Sequence, residues 1–198
     1  MLIVLTGIDG SGKSTAAHAL VSCALAAGHN ALLLNNHAGR RTMSVLAARL
    51  GIRWPRRLAD AAETTLRVAN VLLSHWRASR VDGLVVMDRH LYCQLALRTS
   101  KGLPRGRLLP WLLARLPAPD AVVHLEVVPA MAHRRIMVRG TDHETLADLA
   151  ALHDAYRALP EYKDFLTLDA GRPPGDVAES LKHMVRERIV HAETAATA

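Results

Sequence analysis

"LIVLTGIDGSGKST", residues 2–15, is the stretch on which the fold turns. Leu2–Thr6 is short, continuous and apolar, the pattern of a strand buried on both faces. Gly7 stops it, and Gly10 and Gly12 follow before Lys13, Ser14 and Thr15. Ala17, Leu20, Val21 and Ala24 then repeat at helical spacing, so a helix is predicted over Ser14–Ala27, ended by Gly28. Gly7–Ser14 matches G-x-x-x-x-G-K-[S/T] in full, between the strand and the helix that its chemistry requires. Glycines let bare backbone wrap a phosphate, and their amides form a nest of donors to which the helix N-terminus adds partial positive charge. Lys13 can reach the terminal phosphates, and the Ser14 hydroxyl can ligate Mg²⁺. Gly7, Asp9, Gly10, Ser11, Gly12, Lys13, Ser14 and Thr15 are therefore expected to bind a nucleoside triphosphate. The chain contains no N-K-x-D motif, which argues against a guanine-nucleotide switch.

Downstream, strand and helix patterns alternate. "ALLL" at Ala31–Leu34, "GLVVMD" at Gly83–Asp88, "AVVHLEVVP" at Ala121–Pro129 and "FLTLDA" at Phe165–Ala170 read as further buried strands. Met43, Leu46, Ala47 and Leu50 predict a helix stopped by Gly51. Ala59 to about Ala78 predicts a longer one. The Pro- and Gly-punctuated run from Lys101 to Asp120 is expected to hold one short helix. Ala130–Val138 follows, then a helix to about Leu159 with Thr141 and Glu144 as its capping box, then Asp176–Val190. The pattern predicts a single α/β domain with a mostly parallel sheet. The small, polar residues 192–198 are expected to be disordered.

Composition narrows the partners. The chain has 198 residues, a formal charge of +7 and eleven histidines, yet only 4% aromatic residues. Its basic residues form no long block, so a base-stacking platform for nucleic acid is not expected, and a small anionic ligand is favoured. No apolar run reaches membrane-span length and no signal peptide is recognisable, so a cytoplasmic protein without a membrane partner is expected. Cys23 and Cys93 lack metal or redox spacing and read as reduced thiols.

Several landmarks, taken together and in order, carry a resemblance. "GIDGSGKST" resembles the phosphate loop of thymidylate kinases, including the acid two residues after the first glycine. "VMDRH" at Val86–His90 resembles that family's D-R-[Y/F/H] motif, and "PDAVVHLEVVP" its fourth strand. "RRIMVRGTDHE" falls where an arginine-bearing lid belongs, at about 135–145, and "LTLDAGRPPGDV" resembles the adenine-side strand and turn. The resemblance implies a P-loop three-layer sandwich with a five-stranded parallel sheet. It implies transfer of the γ-phosphoryl of ATP, with Mg²⁺, to a nucleoside monophosphate. It also implies homodimerisation, for which the Ala59–Ala78 helix could serve, although packing on the sheet would equally explain its apolar residues.

Physical roles can be argued alongside. Phosphoryl transfer needs charge neutralisation and positioning more than a covalent catalyst. Lys13 and the loop amides would hold the donor. Asp88, at a strand end, would organise Mg²⁺ together with Ser14, and Arg89 would clamp the acceptor. Arg135 and Arg139 lie four apart on one helix face and would reach the transferring group. The resemblance adds Arg67 on the acceptor side and turns Asp9 toward an acceptor hydroxyl. Their ordinary uses are a strand-end acid for Asp88, a solvated face for the arginines and an Asx turn for Asp9.

The acceptor side departs from the family. Glu63 stands where an aromatic ring commonly stacks on the base, and Arg98 where an amide is common. "NNHAGRR" (Asn35–Arg41) replaces the R-E-P-G-type loop, and His90 the commoner Tyr or Phe. Arg40, Arg41, Arg67, Arg89 and Arg98 would give a basic acceptor lining, with Tyr92, Trp54 or Trp76 as alternative stacking rings. The expected acceptor is a nucleoside monophosphate or close analogue, without specificity for dTMP. The alternatives are a non-nucleoside phosphorylated or phosphonate metabolite, a nucleoside, or a non-catalytic nucleotide-binding regulator.

Overall fold

The computed structural model describes residues 1–36, 56–140 and 144–196. The expected helix at Met43–Leu50 and the residues Arg40, Arg41, Trp54, Thr141 and Asp142 lie outside the described residues.

Five parallel strands form one sheet: β1 (Leu2–Thr6), β2 (Ala31–Asn35), β3 (Leu84–Asp88), β4 (Ala121–Glu126) and β5 (Leu166–Asp169), in the order β2-β3-β1-β4-β5. Helices flank it: α1 (Lys13–Ala26), α2 (Arg56–Ala78), α3 (Leu91–Ser100), α4 (Leu108–Arg115), α5 (Pro129–Arg139), α6 (Leu146–Arg157) and α7 (Pro174–Ala196). A 3-10 turn spans Pro160–Asp164. The strands are apolar on both faces because both are covered. Ile3, Leu5, Val86, Val123 and Leu125 enter one core cluster, and their neighbours Val4, Val85, Met87 and Val122 the other. None of the helices among the described residues is long and apolar enough to cross a membrane.

The sheet topology positions the site. From central β1 the chain runs outward to β2 and later crosses to β4, so the order reverses at the carboxyl end of β1, where α/β sheets bind ligands. Register pairs Leu5 with Asp88, so the acid that ends β3 stands beside the strand that launches the glycine loop.

Four elements differ from the sequence reading. Helix α3 is not predicted from its sequence, because its first turn carries no acid and its capping box pairs His90 with Cys93. That thiol accepts the His90 N–H at 3.5 Å, a role no capping pattern signals. Helix α6 is capped by Thr145 and Asp148, not by Thr141 and Glu144. The Thr145 hydroxyl accepts the Asp148 N–H at 3.1 Å, and a carboxylate oxygen of Asp148 accepts the Thr145 hydroxyl at 2.7 Å. The last helix runs to Ala196 through most of the segment expected to be disordered, since "HAETAA" holds neither Gly nor Pro and is rich in alanine.

The fourth difference is the polarity of α2. Its inward face carries Asp60, Glu63, Thr64, Arg67, Ser74 and His75, all buried, with Val71 among them. Its outward face carries Leu58, Leu66, Leu72, Leu73 and Trp76, each 42–54% exposed. An ordinary surface helix has the opposite arrangement.

Candidate active site

Gly7–Ser14 turns between β1 and α1 with its glycines in conformations that side chains rarely adopt. Gly10 has φ +81°, and a Cβ there would lie 2.5 Å from the Ala132 carbonyl of α5. Gly12, at φ +88°, caps α1 with nothing within 4 Å of where its Cβ would be, which leaves open space at the helix N-terminus. Ser11 and Lys13 are buried, while Gly12, Ser14 and Thr15 face outward. The Lys13 ammonium donates to the Ile8 carbonyl at 2.7 Å and to the Ser11 hydroxyl at 3.4 Å, and lies 3.7 Å from Asp9. Burial and the nearby Arg89 charge lower its pKa, against the pull of Asp9 and Asp88.

Asp88 is 3% exposed, and one of its carboxylate oxygens accepts the Ser14 hydroxyl at 2.6 Å. The other, Oδ1, is buried and has no hydrogen-bond partner among the described residues. A buried acceptor left open beside a serine hydroxyl at the mouth of a phosphate loop fits Mg²⁺, held by Ser14 directly and by Asp88 through water. When bound, the ion would neutralise charge on the phosphates. Residues Gly7–Thr15 fit a triphosphate equally well, through inward amides and the Lys13 charge.

Opposite Lys13, Asp9 pairs closely with the Arg89 guanidinium. Burial would raise the Asp9 carboxyl, but the Arg89 and Lys13 charges outweigh it and hold the group well below the usual carboxylate range. Burial opposes the Arg89 charge, while Asp9 holds its pKa above the ordinary value. Arg89 has φ +75°, a left-handed backbone in a residue with a long side chain.

Arg67 is 3% exposed on the inward face of α2. Its Nε donates to the Gln94 side-chain oxygen at 2.9 Å, and its guanidinium stands 3.8 Å from Glu63. The Gln94 amide donates in turn to the Thr64 hydroxyl at 2.9 Å. Glu63 also faces Lys101 at 3.4 Å. Polar pairs thus join α2 to α3 along the cleft. Sequence reasoning missed Gln94, whose only signal is its place six residues after Asp88 on a helix that was itself unpredicted.

Arg98 is committed elsewhere. Its guanidinium pairs with Asp60 and donates to the Pro104 carbonyl at 3.1 and 2.9 Å. Trp76 lies on the far side of α2 from Arg67, under the Arg80 guanidinium, and Tyr92 packs against His90 and Phe165. Arg135 is no freely solvated side chain. It donates to the Ala170 carbonyl at 2.9 Å and to the Gly10 carbonyl at 3.5 Å, tying α5 to the loop. Arg139 ends α5 one turn further on and is exposed.

The family comparison agrees with this geometry. The thymidylate kinase family profile matches residues 5–181. The chain is 27% identical to a probable thymidylate kinase of Pyrobaculum aerophilum, over 93% of this chain and 97% of the relative. It is 28% identical to a thymidylate kinase of Synechococcus sp. (strain RCC307), over 94% and 96%. A thymidylate kinase of Xanthomonas oryzae pv. oryzae (strain PXO99A) is 30% identical over 71% of this chain and 62% of the relative. With a match that covers nearly the whole chain and a loop shaped for a triphosphate and Mg²⁺, this protein belongs to the thymidylate kinase family and is an ATP-dependent nucleoside monophosphate kinase.

Proposed function

We propose that the acceptor is a nucleoside monophosphate whose base carries an amino group, and that dTMP is not the preferred substrate. The observation behind this reading is Glu63, a buried carboxylate between Arg67 and Lys101 at the position where the family commonly stacks a ring. A carboxylate only accepts hydrogen bonds. Thymine offers it a single N–H between two carbonyls, whereas cytosine, adenine and guanine offer amino groups. Arg98, paired with Asp60, adds little free charge, which weakens the case for a non-nucleoside anion.

In this reading Lys13 and the loop amides hold ATP, and Ser14 and Asp88 serve Mg²⁺. Arg89 and Arg67 hold the acceptor phosphate, and Asp9 orients an acceptor hydroxyl. Arg135 and Arg139 bring positive charge to the transferring group from the lid side. An ADP-release screen over ribo- and deoxynucleoside monophosphates tests it. A good base-edge contact is worth about 1–3 kcal/mol, so kcat/KM for one amino-bearing base should exceed that for dTMP by about tenfold or more. A screen in which dTMP ranks first would sink the reading.

We further propose a homodimer formed through α2. The exposed stripe Leu58–Leu66–Leu73–Trp76 supports it, because the inward face of the same helix is already given over to polar groups of the cleft. Leu66→Glu combined with Leu73→Glu should convert a dimer to a monomer in light scattering, with the fold intact because both side chains are exposed. A wild-type monomer would exclude the interface. A cytoplasmic location fits Cys23 and Cys93, both free thiols.

A further inference from the structure

Asn36, the second residue of "NNHAGRR", follows β2 and is 1% exposed. Four of its polar groups are engaged, each by the site or by the helix that borders it. Its backbone N–H donates to the Asp88 carbonyl at 3.0 Å. Its side-chain Nδ2 donates to the Arg89 carbonyl at 2.8 Å. Its Oδ1 accepts the Ser74 hydroxyl of α2 at 2.7 Å, and its backbone carbonyl accepts Arg67 Nη1 at 3.4 Å.

These contacts converge on a conformational problem. Arg89 is the one non-glycine residue with positive φ among the described residues. A left-handed backbone is sterically disfavoured there and persists only where the surroundings over-determine it. From that conformation the guanidinium reaches Asp9 across the cleft. The Arg89 N–H is held by the Leu5 carbonyl at 3.2 Å, and the Arg89 carbonyl by Asn36. A side chain at position 36 must therefore donate to Arg89 and accept from Ser74 through one planar group. Asparagine does both. Aspartate lacks the donor, and serine or alanine cannot span the two.

We propose that Asn36 is a positioning residue for the acceptor phosphate. It locks the backbone of Arg89 so that the guanidinium enters the cleft, and its carbonyl steers Arg67 toward the same place. The proposal rests on the reading that Arg89 and Arg67 hold the acceptor.

The test is steady-state kinetics on the full-length enzyme with ATP and the best acceptor from the screen. Asn36→Asp keeps the shape but sets a buried carboxylate oxygen against the Arg89 carbonyl, so its melting curve is recorded beside the kinetics, and Asn36→Ala removes both bonds without adding a charge. Each should raise the acceptor KM about tenfold and lower kcat, while the ATP KM stays within about twofold. Ser74→Ala, which frees the amide to rotate, should move the same constants the same way by less. An unchanged acceptor KM in Asn36→Asp would overturn the proposal. So would a parallel rise in both KM values, the mark of general damage. Arg89→Lys separates the two levels. If it leaves the acceptor KM unchanged, the acceptor reading itself fails. If Arg89→Lys raises that KM while both Asn36 variants leave it alone, only the role of Asn36 fails.

Discussion

Lys13→Ala should yield a folded protein whose acceptor-dependent ADP release has fallen by about 10³-fold or more. The size follows from where the charge sits. The ammonium is 5% exposed and rests on the Ile8 carbonyl at 2.7 Å. It is already stripped of water, so its attraction to a phosphate is little screened. A triphosphate entering the loop would exchange a neutral carbonyl for its own oxygens, at little reorganisation cost. Removing the ammonium takes away the one lysine of the loop, and no neighbour replaces it. Arg89 is committed to Asp9, and Arg135 to the Ala170 carbonyl.

Stability should change far less. Asp9 keeps its Arg89 partner, so no buried carboxylate is stranded, and the main loss is one hydrogen bond to a backbone carbonyl, about 1 kcal/mol. ADP release with and without acceptor, beside a melting curve, measures both. Retention of acceptor-dependent release within about tenfold would contradict the assignment of Lys13 to the donor. In the wild type, slow release that ignores the acceptor would instead favour the regulator reading.

The extent to which the sequence disclosed this site depended on the range of the interactions. The β1–loop–α1 unit is written in local signals: an apolar run, glycines and a helical stripe. It lies where the pattern puts it, as do the remaining strands to within a few residues. Asp88 and Arg89 are legible for the same reason, since a strand end fixes their place. Partners supplied by a distant segment are not legible. Spacing put Arg98 near the acceptor, but Asp60, 38 residues away on α2, holds its charge. The helix Ala59–Ala78 was recognisable, while the direction of its faces was not. An apolar stripe is normally the core stripe, and here the cleft claims the polar one. Asn36 left no trace because what it supplies is a pair of hydrogen bonds to backbone and hydroxyl, available to any asparagine in the right place.

Asp88→Asn should separate catalysis from stability more sharply than any other substitution in the site. The carboxylate has two oxygens in unequal positions. One accepts the Ser14 hydroxyl at 2.6 Å, and the other is buried without a partner among the described residues. An open, buried carboxylate oxygen is unfavourable for the unliganded fold. Its presence beside Ser14 makes sense if a cation and its waters complete the site. Asparagine has the same shape, and its oxygen can still accept from Ser14. Its amino group then points where the open oxygen was, so a donor faces the ion and the negative charge is gone. The rate should fall by about 10²–10³-fold, as when one preorganised electrostatic group is lost from a phosphoryl-transfer site. The Mg²⁺ concentration for half-maximal rate should rise. The melting temperature without Mg²⁺ should stay close to the wild-type value, because one buried polar atom without a hydrogen-bond partner replaces another while the Ser14 bond is kept. The backbone contribution of residue 88, its carbonyl bond from the Asn36 N–H, survives the exchange. Ser14→Ala should shift the Mg²⁺ dependence the same way by less. A Mg²⁺ titration identical to wild type would show that the Asp88 carboxylate serves the strand end alone.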